Sequence, residues 1–304
     1  MYKGIVVKNL INKYVILDLS QKKTIIAQPK GKIKDFNQKN ITTKSLYHCP
    51  IKIGDIVEYE FKYNNFFIIN IQTRKNELER PHIVNIDQVL LIFSLTEPKI
   101  DFKLLDKFLI ILQRLNIKII LIFTKKDLIN QEQFQYIKNQ LSYYEKWYSV
   151  IYINAKQKNN ITYIIEQLKN KITIMAGQTG VGKSTLFNNL TSLKVKTQPI
   201  SIRSFKGKHT TTSSQLYICH QGYLADTPGF SKLTLSNLKT NEIKNFYPDF
   251  NSISEQCFFG NNCLHIEEKK CKIIENYQKG LITKSRYLNY LFLVKQNKNK
   301  NNTN

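Results

Sequence analysis

The run Gly177-Gln178-Thr179-Gly180-Val181-Gly182-Lys183-Ser184-Thr185 carries the residue types, at the spacing, that hold a polyphosphate. Its pattern is GxxxxGKS, with the apolar stretch Ile172–Ala176 before it and helical periodicity through Leu186, Phe187 and Leu190 after it. Strand, glycine-rich turn and helix form the context that a phosphate-binding loop requires. Glycines let consecutive backbone N–H groups wrap the phosphates, and a helix N-terminus then points at the same oxygens. Lys183 is expected to reach the β- and γ-phosphates and Ser184 to ligate Mg²⁺. The ligand implied is a nucleoside triphosphate.

Further segments supply the rest of such a site. Asp226-Thr227-Pro228-Gly229 ends an apolar stretch, where Asp226 can hold Mg²⁺ and the Gly229 N–H can bond the γ-phosphate. Between these segments lies the hydroxyl-rich loop Gly207-Lys208-His209-Thr210-Thr211-Thr212, from which one threonine, taken as Thr211, completes the Mg²⁺ shell. A plain Ser/Thr loop is the competing reading. Thr124-Lys125-Lys126-Asp127 is a TKxD variant of the guanine-reading NKxD pattern. The Asp127 carboxylate can accept from both N1–H and N2–H of guanine, a pair that adenine does not offer. The aliphatic stem of Lys125 would lie along the base. Asn154-Ala155-Lys156 ends the next strand, where Ser-Ala-Lys commonly stands, and the Ala155 N–H can still contact the guanine carbonyl.

A different chemistry is written near the end of the chain. Cys257, Cys263, His265 and Cys271 are spaced C-x₅-C-x-H-x₅-C, a Cys₃His set suited to one closed, structural tetrahedral Zn²⁺. Cys49 and Cys219 stand apart and read as small apolar residues.

Three regions must position these groups. Residues 1–75 read as short strands (Gly4–Val7, Tyr14–Leu19, Thr24–Ala27, Asp55–Phe61, Phe66–Asn70) separated by turn signals, most economically an OB-type β-barrel. Such a barrel either binds single-stranded nucleic acid or serves as a docking platform, and strand periodicity does not separate the two. The charged connector Arg74 to Pro81 leads into residues 76–235, where strands alternate with helices. That alternation predicts a parallel α/β sheet whose strand ends carry the ligand-binding segments. Residues 236–304 hold the zinc-binding module, a helix through Tyr287 and Leu293, and a Lys/Asn-rich tail from Lys295 expected to be disordered.

The balance of 46 Lys+Arg against 22 Asp+Glu, a formal charge of +24, points to a polyanionic partner, with a lysine-rich compositional bias as the alternative. The most apolar region, Leu104 to Phe123, is broken by Asp106, Lys107, Arg114 and Lys118, so no membrane span is expected. The N-terminus enters strand-like alternation without a signal-peptide core, and the clustered cysteines suit a reducing compartment.

Order decides the class. The guanine-reading segments precede the phosphate loop, the reverse of ordinary GTPases, so the domain reads as a circularly permuted P-loop GTPase. Together with Arg74–Pro81, Asn85-Ile86-Asp87-Gln88, DTPGF and the terminal Cys₃His cluster, this arrangement resembles the circularly permuted, small ribosomal subunit-dependent GTPases of the RsgA (YjeQ/YloQ) family. The resemblance covers nearly the whole chain. It implies GTP/GDP, Mg²⁺ and Zn²⁺ as ligands, and the small ribosomal subunit and its rRNA as partners. It further implies GTP hydrolysis in late maturation of that subunit, stimulated by the subunit itself. The family usually has four residues between the first two cysteines, and here there are five.

Phe230 stands where many GTPases place the glutamine that orients water, so the catalytic group lies elsewhere. His209 is the candidate, on the family's GxxH-type loop, with a purely loop-ordering role weighed equally. Competing readings are a P-loop ATPase or kinase of another class, and an RNA-binding module with structural nucleotide. A monomer in a bacterial cytoplasm or a plastid stroma is expected.

Overall fold

The computed structural model describes residues 1–30, 51–78, 82–154, 161–191, 215–226, 235 and 238–301. His209, Thr211, Gly229, Ala155 and Cys49 lie outside them. In chain order the first strands are β1 (Tyr2–Leu10), β2 (Lys13–Asp18), β3 (Thr24–Pro29), β4 (Ile56–Lys62), β5 (Asn65–Ile71), β6 (Glu77–Leu78), β7 (Ile83–Val84) and β8 (Gln88–Ser94). Then come α1 (Phe102–Arg114), β9 (Lys118–Thr124), α2 (Gln131–Glu145), β10 (Ser149–Tyr152), α3 (Ile161–Leu168), β11 (Ile172–Gly177) and α4 (Lys183–Thr191). The chain closes with β12 (Tyr217–Cys219), β13 (Gly222–Asp226), α5 (Pro248–Ser254), α6 (Lys272–Gln278) and α7 (Lys284–Asn301).

Packing divides the chain into two compact units. The first comprises Met1–Leu90, Lys158–Ala176 and Lys183–Phe230. Its first five strands close into a barrel in the order β1-β2-β3-β5-β4, with β3 and β5 parallel and the other pairs antiparallel. Alternate residues point inward, so Val6, Tyr14, Ile16, Ala27, Val57, Tyr59 and Ile68 form one apolar core. The β4–β5 hairpin turns through Tyr63 and Asn64, both at positive φ, the twist that tight hairpins favour.

The charged connector is not a loose linker. Arg74 makes a forked pair with the buried Asp55 carboxylate, at 2.7 and 2.8 Å, and reaches Glu77 at 2.8 Å. The short antiparallel pair β6–β7 follows directly. This unit also holds β11-β13-β12, where β11 and β13 run parallel and β12 pairs antiparallel with β13.

The second unit comprises Leu91–Gln157, Gly177–Gly182 and Ser231–Asn304. Strands β8 and β9 are buried along nearly their whole length, as strands of a parallel sheet covered on both faces must be, and β9 pairs in parallel with β10. Helix α1 starts where Asp101 accepts from the Lys103 and Leu104 N–H groups, at 2.9 and 3.1 Å. A reciprocal pair, Asn130 and Gln133, caps α2.

The C-terminal segment of this unit docks on α1 through buried charge. Arg286, 2% exposed, bonds Asp106 of α1 and grips Asp249 at 2.8 and 3.1 Å. Asn289 and Tyr144 complete the Asp106 carboxylate at 2.8 and 3.0 Å, and Tyr143 bonds Asp249 at 3.0 Å. Burial pushes the Asp106 carboxyl up, while the Arg286 charge and these donors pull it down.

The tail departs from expectation. Helix α7 continues to Asn301 despite its Lys/Asn composition. Asn297, 1% exposed, donates to the Leu235 carbonyl at 2.9 Å and accepts from the Thr240 hydroxyl at 2.9 Å. Those bonds fix a stretch that composition alone assigns to disorder. Among the described residues, no helix is long and apolar enough to cross a membrane.

Candidate functional site

The phosphate-loop backbone has the conformation its glycines permit. Strand β11 is buried throughout and ends at Gly177. Gly177 and Gly182 have φ of 149° and 92°, values that side-chain-bearing residues rarely adopt. A Cβ on Gly177 would sit 2.2 Å from the Ile92 carbonyl oxygen, so only glycine lets β8 and the loop approach this closely. The loop runs straight into α4, with Lys183, Ser184 and Thr185 half-buried in its first turn and Leu186, Phe187 and Leu190 packed beneath. Asp226 pairs with Met175 in the β11–β13 register, so it ends its strand beside the strand that delivers the loop.

Within the second unit, the Thr124–Asp127 segment meets that loop. Thr124 ends β9 and is wholly buried. Its hydroxyl donates to the Val181 carbonyl at 2.5 Å, with the Phe93 carbonyl at 3.2 Å. The sequence marks Thr124 as a base-reading residue, whereas its hydroxyl is here a strut between two strand ends and the loop. Lys125 takes a left-handed φ of 62°, and its ammonium donates to the Glu97 carbonyl. That bond fixes the turn in which Asp127 stands exposed. The Lys126 N–H reaches the Ile153 carbonyl at 3.3 Å, and Ile153 N–H returns to Phe123 at 2.8 Å. Asn154 is thereby set beside Thr124–Asp127 at neighbouring strand ends. Phe93 and Glu97 escape sequence reasoning because they act through backbone carbonyls, which carry no side-chain signal.

The terminal cluster fits a zinc ion. Cys257, Cys263, His265 and Cys271 are all buried, and their ligand atoms lie within 4.8 Å of one another. The Cys257 and Cys271 sulfurs are 3.9 Å apart, and His265 Nδ1 is 3.7 Å from the first and 3.3 Å from the second. Zinc–sulfur bonds of about 2.3 Å and zinc–nitrogen bonds of about 2.0–2.1 Å in a tetrahedron imply roughly 3.8 Å and 3.5 Å for those separations. The five-residue spacing is taken up in a short 3₁₀ turn at Gly260–Asn262.

Supporting bonds hold the ligand loop. Lys244 donates to the carbonyls of Asn261 and, at 2.7 Å, Cys263. Glu268 accepts from Leu264 and Ile266 N–H groups at 2.7 Å each. Tyr287 donates to the His265 carbonyl at 3.0 Å, and Tyr290 to the Leu264 carbonyl at 2.5 Å. Burial, reinforced by the Lys244 charge, lowers His265 to about 4, so its imidazole is neutral and able to bind metal. Burial raises the Cys271 thiol to about 12, a proton that a dication would displace. Cys219, outside the cluster, is buried and donates to the Leu190 carbonyl at 3.2 Å, in keeping with a packing role.

Comparisons with known proteins point to one family. The family model described as RsgA GTPase matches residues 71–236. The small ribosomal subunit biogenesis GTPase RsgA of Phytoplasma mali (strain AT) is 46% identical over 297 residues, covering 97% of this chain and 96% of that protein. Its counterpart in Thermotoga petrophila is 34% identical, covering 95% and 94%. Among solved structures, YjeQ from Thermotoga maritima superimposes with a TM-score of 0.82 at 31% identity, covering 97% of this chain and 98% of that one. YloQ, described as a circularly permuted GTPase, gives 0.81 at 30% identity, covering 99% and 96%.

Proposed function

The chain belongs to the RsgA GTPase family, and on that premise we propose that it hydrolyses GTP to GDP and phosphate during late maturation of the small ribosomal subunit, with the subunit stimulating hydrolysis. The observation that carries this reading is the bond from Thr124 to Val181, which joins the guanine-reading segment to the phosphate loop although it precedes that loop in the chain. An ATPase or kinase of another class gives no account of Thr124–Asp127 and is not favoured. Residues 1–75, 76–235 and 236–304 are taken as barrel, permuted GTPase domain and zinc module.

In this reading Asp127 accepts from guanine, Asn154 and Ala155 flank the base, and Gly177 to Thr185 bind the phosphates. Ser184, Thr211 and Asp226 would hold Mg²⁺, which neutralises developing phosphate charge when bound. Gly229 would report the γ-phosphate, and His209 would orient water or order its loop. Cys257, Cys263, His265 and Cys271 would hold one structural Zn²⁺, closing the loop without an open coordination position. GTP binding would reorient the zinc module through the segment that follows Asp226, so that rRNA is bound in the GTP state. The relatives are bacterial, so a monomer in a bacterial cytoplasm is proposed; they lend no support to a plastid location.

Single-turnover hydrolysis with small subunits, large subunits and assembled ribosomes provides the test. Acceleration by small subunits above the other particles is expected, and equal rates with and without them would overturn the proposal. His209→Ala, if as fast as wild type on the subunit, removes the catalytic assignment but not the function.

A further inference from the structure

Among the described residues the barrel is open at one end, and that mouth has the lining of a base pocket. The start of β1, the end of β2, the start of β3, the end of β4 and the start of β5 all meet there, as the pairings Tyr2↔Tyr59, Gly4↔Asp18, Leu17↔Thr24 and Phe61↔Phe66 require. They enclose a cavity of about 390 Å³ lined by Tyr2, Tyr59, Phe61, Phe66, Asp18 and Lys23 among others. Mouths of β-barrels are recurrent ligand sites, and this volume lies in the range such pockets occupy.

The rings are arranged for stacking. Tyr2 lies over Tyr59 with centroids 5.5 Å apart and planes 25° apart, and Phe61 sits 4.8 Å from Phe66. Tyr2 and Phe61 are 46% and 52% exposed, so neither residue is buried in the barrel core. Apolar rings that face water at a cavity, on a chain of charge +24, are the combination that single-stranded nucleic acid uses.

Charge at the floor decides which part of a nucleotide enters. Asp18 accepts from the N–H groups of Gln21 and Ser20, the Ser20 hydroxyl and the Tyr59 hydroxyl. The Gln21 N–H above all, then the hydroxyls of Ser20 and Tyr59, hold its carboxyl well below the usual carboxylate range. An anion there repels a phosphate and favours the N–H edge of a base. Lys23 at the rim, with Lys22 beside it in sequence, is placed to meet the backbone phosphates left outside.

We infer that the barrel mouth takes one unstacked nucleobase of an RNA strand, with the base between the Tyr2 and Phe61 rings. This rests on the reading that the protein works on the small ribosomal subunit, and it adds where and how a strand is gripped. The test uses the full-length chain and fluorescence anisotropy of a labelled single-stranded oligoribonucleotide at low salt. Phe61→Ala and Tyr2→Ala are each expected to weaken binding about 5- to 150-fold, the range found for losing one base–aromatic stack. Phe61→Tyr should restore it, and Tyr63→Ala, at a ring 90% exposed outside the cavity, should leave it unchanged.

An oligonucleotide abasic throughout should bind as weakly to wild type as the intact strand binds to Phe61→Ala. Undiminished binding by Phe61→Ala, or of the abasic strand to wild type, overturns the inference. So does a nucleoside monophosphate that competes as tightly as the strand, since the ligand is then a free nucleotide. Loss of subunit-stimulated GTPase activity is read separately on wild type, so failure of the functional proposal and failure of the pocket remain distinguishable.

Discussion

At Thr124 one hydroxyl, buried with the carbonyls of Val181 and Phe93, joins the end of β9 to the loop that carries Val181. Thr124→Val keeps the volume but removes the hydroxyl that donates to the Val181 carbonyl, a loss of about 1–3 kcal/mol. Nucleotide affinity should fall about 10-fold, read by displacement of a fluorescent GDP analogue, with Mg²⁺ held constant. Asp127→Asn removes the charge from a two-donor contact worth more than a neutral one, so GTP should weaken by about 100-fold or more, while ATP is unchanged. If GTP and ATP weakened alike, Asp127 would not be reading the base. Both residues stand out in the TKKD run, but only Asp127 declares its role there. A threonine in that place reads as a substituted asparagine, and its bond to a loop fifty-seven positions later has no sequence signature.

The elements divide in the same way. Strand alternation marks the barrel, and spacing marks the Cys₃His cluster, because both are local patterns. The docking of α7 on α1 is not local: Arg286 sits among Lys284 and Ser285 in a basic stretch like many others in this chain, yet it is buried against Asp106 and Asp249. Arg286→Ala would leave two buried carboxylates without their cation, a cost of about 3–5 kcal/mol. Urea denaturation should register it, and a change under 1 kcal/mol would mean that water enters the site. Removing zinc with a chelator should loosen the 257–271 loop while guanine nucleotide binding persists, since none of the proposed nucleotide contacts lies in that loop. Hydrogen exchange confined to the C-terminal segment is the expected signature, and protection unchanged there would mean that the loop is held by Lys244, Glu268 and the tyrosines alone.

For the whole molecule, 46 cationic against 22 anionic side chains predicts subunit binding that falls steeply with salt. A plot of log affinity against log salt should have a slope of several units, each phosphate neutralised adding about 0.7–0.9. A flat plot would mark the charge as compositional bias. The end of the last helix also acts as a clasp within its own unit. Asn297 donates to the Leu235 carbonyl and accepts from the Thr240 hydroxyl, so a single amide pins two points that lie about sixty positions earlier in the chain. Trimming the protein after Val294 should therefore unfasten Leu235 and Thr240, read as faster amide exchange around residues 238–246, and unchanged exchange there would mean that the clasp holds nothing.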